Sequence, residues 1–301
     1  MDENKSKALS FKGFAYLNVD HQVVAWGVYR GVLVSAQAAG TPPKCPVSVM
    51  FAGIVQSQNN ARFQNELLID AVRAQRYPQQ MSRLAGMYFL EDLAQADKAT
   101  AWGGHFRQEN IVELEVHPVG IPARVDSNWI TYAKVDGDGR LDQTDLSWVE
   151  RYWSGQPFRN PPVWETIVHG RAVVFGTGLR KRAYDVIANA FPNALDMLEI
   201  SRLAAAVGSD LGQTAAWVTQ MNPTTFRLAY YLDMREANDP EFLKRLAAHD
   251  GPKNVRDLAP GKETFGVPDF RSYGCEFTVS RQLSSSGSAY IPAIHRTANG
   301  I

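Results

Sequence analysis

Two cysteines, Cys45 and Cys275, are all that the chain carries in 301 residues, and they form no Cys-x-x-Cys pattern. A structural zinc site or a disulfide scaffold needs more, so both read as reduced thiols. Histidine is also sparse: His21, His105, His117 and His169 are scattered without the His-x-x-x-His spacing that puts two ligands on one helix face. No metal is assigned from them. No apolar run reaches the roughly 18 residues of a membrane span, and the first residues, Met-Asp-Glu-Asn-Lys, lack an apolar signal core. Net charge is missing too, with 31 basic residues against 31 acidic. A bulk electrostatic grip on nucleic acid or an anionic membrane is therefore not expected, which leaves only a local basic patch for such partners. The expectation is a soluble cytoplasmic protein without membrane contact; a toxin passed through a secretion system would read the same way.

What is present is apolar material and pattern. Hydrophobic residues make up 45% of the chain, enough for a sizeable core and for two domains. Residues 12–36 carry Phe14, Tyr16, Val19, Val23, Val24, Trp26, Val28 and Val32 to Val34, which predicts two or three strands turning at Asp20-His21 and Arg30-Gly31. Residues 37–60 read as a loop around one strand or short helix. Asn60 is then a candidate N-cap for a helix presenting Phe63, Leu67, Leu68, Ala71 and Val72, stopped at Tyr77-Pro78. Met87 to Leu90 predict a buried strand, and Asp92 caps a helix presenting Leu93, Ala96 and Ala101, closed by Gly103 and Gly104. Ile111 to Val116 predict a strand with Glu113 and Glu115 on one face. Residues 144–154 predict a helix opened by Thr144 and closed by Gly155, and Trp164 to Phe175 a strand pair broken at His169-Gly170. Beyond 178 the periodicity predicts helices near 181–191, 194–207, 210–220, 223–235 and 240–249, then a loose tail from 284.

Several motifs follow one another in order: Arg73-Ala-Gln-Arg-Tyr-Pro78, Ser82-Arg83-Leu84, Tyr88-Phe89, Glu113 to Val116, Asp126-Ser127-Asn128, Tyr152-Trp153-Ser154-Gly155 and Glu165-Thr-Ile-Val-His-Gly170. In that succession residues 12–176 resemble a small bacterial domain family similar to the rifampin-type ADP-ribosyltransferases. Where that family places a histidine on its first strand, this chain reads Tyr16-Leu17-Asn18-Val19. The resemblance implies an α+β fold with an ADP-ribosyltransferase-like split-sheet domain over 1–178, and the periodicity beyond it adds a helical accessory domain over 179–301. It implies NAD as the substrate that donates ADP-ribose, and an acceptor that is a macromolecule or a small molecule. Tyr88 would lie against the nicotinamide, and Arg83, with Arg30 as a second candidate, would reach phosphate. Asn18 would meet the adenosine ribose, and Ser82 and Asn128 would complete the cofactor-binding set.

Breaking a nicotinamide–ribose bond passes through an oxocarbenium-like state, so a carboxylate must stand beside the ribose. Two compete for that role: Glu165, at the head of its strand, and Asp126, just past the Glu113–Val116 strand. A second reading keeps the fold without the chemistry, as a binding module acting through its helical part. A third feature, Asp136-Gly-Asp-Gly-Arg-Leu-Asp-Gln-Thr-Asp145, has the carboxylate spacing of a calcium loop. Its first ligand position, however, is Lys134, so it reads as an acidic turn.

Overall fold

Along Ile111–Pro118, Val112, Leu114 and Val116 are buried while Glu113 and His117 are exposed, a period of two that only a strand produces. The protein is a computed structural model that describes residues 10–36, 44–102, 106–251 and 266–279. Its first half contains β1 (Phe11–Tyr16), α1 (Gln22–Arg30), β2 (Val32–Val34), β3 (Lys44–Val47), α2 (Val49–Gln56), α3 (Asn60–Arg76), β4 (Met87–Leu90), α4 (Leu93–Ala99), β5 (Ile111–Pro118), β6 (Ala123–Asp126) and α5 (Asn128–Thr131). There follow α6 (Ser147–Trp153), β7 (Trp164–Val168), β8 (Gly170–Val174), α7 (Thr177–Ala190), α8 (Leu195–Ala206), β9 (Thr214–Gln220), β10 (Thr225–Leu232), α9 (Pro240–Ala247) and β11 (Cys275–Thr278). The fold is mixed α and β with antiparallel sheets. Seven strands run in the order β2-β8-β5-β1-β4-β7-β6, and four in the order β11-β10-β9-β3.

Register places the residues that matter below. Glu113 faces Phe14, Phe14 faces Leu90, Leu90 faces Glu165, and Glu165 faces Val125, one row crossing five strands. Cross-strand partners share a face, so all five side chains stand on the same side of the large sheet.

Several expectations need correction. Gln22–Arg30 is a helix, not a strand. Its valines favour strands, but Val23, Trp26, Gly27 and Arg30 recur at helical spacing and are all buried, α1 packing on α7 and α8. Tertiary burial overrides the propensity. Gly31 adopts φ 90°, so Arg30-Gly31 is a helix stop rather than a hairpin turn. The cap of α3 is Asn59, whose side chain accepts from the Arg62 N–H, and α6 begins at Ser147 rather than Thr144. Residues 210–220 and 223–235 hold strands β9 and β10 where helices were expected. Phe226, Leu228 and Tyr230 alternate with more exposed neighbours, and the aromatics and threonines there suit a pleated surface.

The expected helical part over 179–301 is corrected with them, because β9, β10 and β11 build a sheet whose fourth strand is β3, from residues 44–47. The core crosses position 178 as well. Phe63 of α3 lies 5.4 Å from Phe51, 5.1 Å from Phe226 and 5.0 Å from Phe277. Trp26 Nε1 donates to the Gly212 carbonyl at 2.8 Å. Gly103, Gly104, His105 and the tail from 284 lie outside the described residues. Among the described residues no helix is long and apolar enough to cross a membrane.

A core shared in this way predicts one cooperative thermal transition for the whole chain. Phe63→Ala is expected to cost about 3–5 kcal/mol of that single transition. Calorimetry showing two separate transitions, with only one moved by the substitution, would mean that residues 1–178 fold as their own unit.

Candidate functional site

Helix α3 buries charge on its packed face. Glu66, Asp70 and Arg73 recur at i, i+4 and i+7 among Phe63, Leu67 and Ile69, and all three are almost fully covered. Charged groups this deep must be paired, and they are. Arg73 grips Asp70 in two-pronged fashion at 2.7 and 3.2 Å, and its third nitrogen donates to the Gln80 carbonyl at 3.0 Å. The Ser82 hydroxyl donates to Asp70 Oδ1 at 2.7 Å. These contacts fasten the segment after Tyr77-Pro78 back onto α3, which presents the next residue, Arg83, to Glu66.

Arg83 is 7% exposed and holds Glu66 with both Nε and Nη2, at 2.9 and 3.1 Å. Its Nη1 donates to the Tyr152 hydroxyl at 2.6 Å and lies 4.0 Å from Glu165 Oε2, too far for a hydrogen bond. The guanidinium stands 5.1 Å from the Tyr88 ring centre and 5.7 Å from that of Tyr152. Tyr88 is fixed in turn, its hydroxyl donating to the Arg83 carbonyl. The site therefore draws on four elements: α3 supplies Glu66, β4 Tyr88, α6 Tyr152 and β7 Glu165.

The electrostatics follow from burial and from two carboxylates facing one cation. Burial raises the Glu165 carboxyl above the ordinary glutamate range; Arg83 pulls it back down, while Glu66 and Asp126 push it further up. Burial likewise raises the Tyr88 and Tyr152 hydroxyls, so both stay neutral. Burial works against the Arg83 charge, but the Glu66 carboxylate outweighs it and the guanidinium stays charged. The Glu165 side chain keeps 14% of its surface. A half-buried ring, a cation and a carboxyl biased toward holding its proton thus meet at one place.

Of the residues expected at the site, Arg83, Tyr88 and Glu165 come together. Asp126 does not present its carboxylate: it is 0% exposed, Oδ1 accepts from the N–H groups of Asn128 and Val163 at 3.0 Å each, and Oδ2 accepts from that of Phe158 at 2.8 Å. It is a backbone staple. Asn128 is buried beside it, with its side-chain nitrogen unpartnered among the described residues. Ser82 belongs to the Asp70 fastening. Asn18 lies beyond the end of β1, where its side chain accepts from the Asp20 N–H at 3.1 Å to close a turn. Arg30 is 2% exposed and donates to the Val32 and Ser209 carbonyls at 2.9 and 2.6 Å, burial lowering its guanidinium to about 10.

The acidic turn spends its carboxylates on its own backbone. Asp136 accepts from Asp138 and Arg140, Asp142 from Thr144, and Asp145 from Ser147, all at 2.9 Å. Asn65 of α3 clamps the turn through the Gly139 carbonyl and the Leu141 N–H, again at 2.9 Å. Among the described residues no group of three or more His, Cys, Asp or Glu is placed to hold a metal.

Glu66 was not anticipated, and Tyr152 was noticed only within its motif. The signal for Glu66 was available: a glutamate, an aspartate and an arginine interrupt the apolar arc of one helix, where solvated charge has no place.

The different duties of the two carboxylates can be measured. Asp126→Ala leaves three backbone N–H groups without their acceptor and is expected to cost on the order of 3–5 kcal/mol. Glu165→Gln removes a carboxyl whose ionised form is disfavoured in the fold, so stability at pH 7 should hold or rise. Urea unfolding of the two variants against the parent checks both outcomes.

A family model described as a protein of unknown function, DUF2441, matches residues 48–181. The matched span contains Glu66, Arg83, Tyr88, Tyr152 and Glu165 and leaves out Asn18 and the strands β9 to β11. No curated protein matches the chain.

Proposed function

We propose that the protein is an NAD-dependent ADP-ribosyltransferase with Glu165 as its catalytic carboxylate and Tyr88 as the surface for the nicotinamide ring. The observation that carries this reading is the grouping of Tyr88, Arg83 and Glu165, with Arg83 Nη1 4.0 Å from the carboxylate and its guanidinium 5.1 Å from the ring. The split-sheet ADP-ribosyltransferase fold belongs to the same proposal. NAD would supply an ADP-ribosyl group on a nicotinamide leaving group, with positive charge developing at the ribose carbon as the glycosidic bond breaks. Ionised Glu165 stabilises that charge and takes the proton lost by the attacking acceptor. Tyr88, with its hydroxyl anchored to the Arg83 carbonyl, keeps its ring in one orientation. Arg83 is not assigned to phosphate, because Glu66 and Tyr152 hold all three of its nitrogens. Arg30 is excluded from that role by its carbonyl partners.

That same engagement of both arginines favours one other reading, a non-catalytic interaction module. The two readings part at Glu165, because the module predicts that Glu165→Gln leaves the biological effect intact.

The test is incubation with labelled NAD and cell extract, following label transfer and nicotinamide release. Glu165→Gln is expected to lower the rate about a hundredfold or more, and Tyr88→Ala to weaken NAD binding. Ionised Glu165 is required and its carboxyl is raised by burial. The rate should therefore fall as pH drops through a value above the ordinary glutamate pKa. Absence of label transfer and of nicotinamide release, with no NAD-dependent shift in melting temperature, refutes the reading.

A further inference from the structure

Two carboxylates compete for one buried guanidinium, and the competition is unequal. Glu66 takes Nε and Nη2 at 2.9 and 3.1 Å, Tyr152 takes Nη1 at 2.6 Å, and Glu165 is left 4.0 Å away with no hydrogen bond. A two-pronged pair fixes the plane of a guanidinium as well as its position. Arg83 is thereby held with Nε and Nη2 on Glu66 of α3 and Nη1 on Tyr152 of α6, 4.0 Å from Glu165. Without that hold, a shift of about 1 Å would bring Nη1 to the 2.7–2.9 Å of a charge-assisted hydrogen bond to Glu165. A carboxylate so paired is a poor base and offers fewer lone pairs to a substrate.

We propose that Glu66 is the positioning residue of this site: by holding Arg83 back, it keeps the Glu165 carboxylate next to a cation without being captured by it. This rests on the assignment of Glu165 as the catalytic carboxylate. Glu66 touches no reacting atom. It sets how far Arg83 stands from the group that does, and the Tyr152 hydroxyl seconds it at Nη1. The titratable and charged groups facing Glu165 are Arg83 from the segment before β4, Tyr88 on β4, Tyr152 on α6, Glu66 on α3 and Asp126 on β6. Of these, Glu66 and Arg83 act on Glu165 in opposite directions, Glu66 favouring its protonated form and Arg83 its ionised form.

The opposition supplies a test that needs no substrate. Carbon-13 NMR titration of the side-chain carboxyls in the full chain, with Glu165 assigned through Glu165→Gln, reads its pKa directly. Glu66→Gln is expected to lower that pKa by about one unit or more, a tenfold change in proton affinity, through loss of the Glu66 charge together with closure of Arg83 on Glu165. Tyr152→Phe, which changes no charge, isolates the closure. Arg83→Met should raise it, and Glu66→Asp, which keeps the charge, should hold it near the parent value. Should Glu66→Gln fail to fold, Tyr152→Phe carries the test: it deletes one hydroxyl and frees Nη1, and a smaller fall is expected. An unmoved or raised Glu165 titration in the folded Glu66→Gln variant, or in Tyr152→Phe where that variant does not fold, overturns the proposal. In NAD cleavage the Glu66→Gln variant should lose kcat with little change in KM, its acidic limb moving to lower pH. If the parent cleaves no NAD, the assigned activity fails while the titration still decides the role of Glu66. If cleavage depends on Glu165 but its titration ignores Glu66, only the positioning role fails.

Discussion

A guanidinium withdrawn from water beneath a β-strand must be matched group for group, and the pairing of Arg83 with Glu66 meets that demand here. Removing Arg83 would leave the Glu66 carboxylate bare in the interior, so α3, the segment before β4 and α6 are obliged to keep their relative positions. Tyr152 completes the arrangement from α6, and Trp153 beside it donates to the Ile69 carbonyl of α3 at 3.0 Å. Asp70, Arg73 and Ser82 repeat the device one turn further along α3. A site built over this frame inherits its rigidity, which any chemistry at Glu165 requires.

The parts of the fold legible in the sequence were those with one dominant period or a strong stop signal. β4, β5 and the pair β7–β8 stand where their apolar patterns predicted strands, and Asp92 caps α4 through the Gln95 N–H. Failures came where both periods fit. Gln22–Arg30 is rich in β-branched residues and buried on most of its circumference, so composition argued for a strand while spacing argued for a helix. β9 and β10 depart in the opposite sense: the apolar spacing over 210–220 and 223–235 predicts helices, while burial alternates from one residue to the next as in strands. Their conformation is decided by partners far away in the chain, such as Pro46 opposite Trp217, which no local window contains.

The candidate site was half legible. Tyr88, Arg83 and Glu165 could be named from motif order, and they do converge. Asp126 and Asn18 could not be told from functional groups by residue type, because an acidic or amide side chain that accepts from nearby backbone N–H groups looks the same in sequence as one aimed at a ligand. What separates Asp126 from Glu165 is the number of backbone donors that fold around it, and that depends on the loop holding Phe158 and Val163. Glu66 was overlooked because a single glutamate on a long helix is usually solvated, and its burial shows only when Asp70 and Arg73 are read with it.

The four-stranded sheet takes β3 from residues 44–47 and its other strands from residues 214–278. Contacts spanning so much chain are slow to find, since a long loop must close before they repay its entropy. During synthesis the side of α3 that carries Phe63 has only Phe51 to rest against until Phe226 and Phe277 have left the ribosome. The emerging N-terminal half must therefore wait with an aromatic surface uncovered, so the last strands made decide whether the first ones are safe from aggregation.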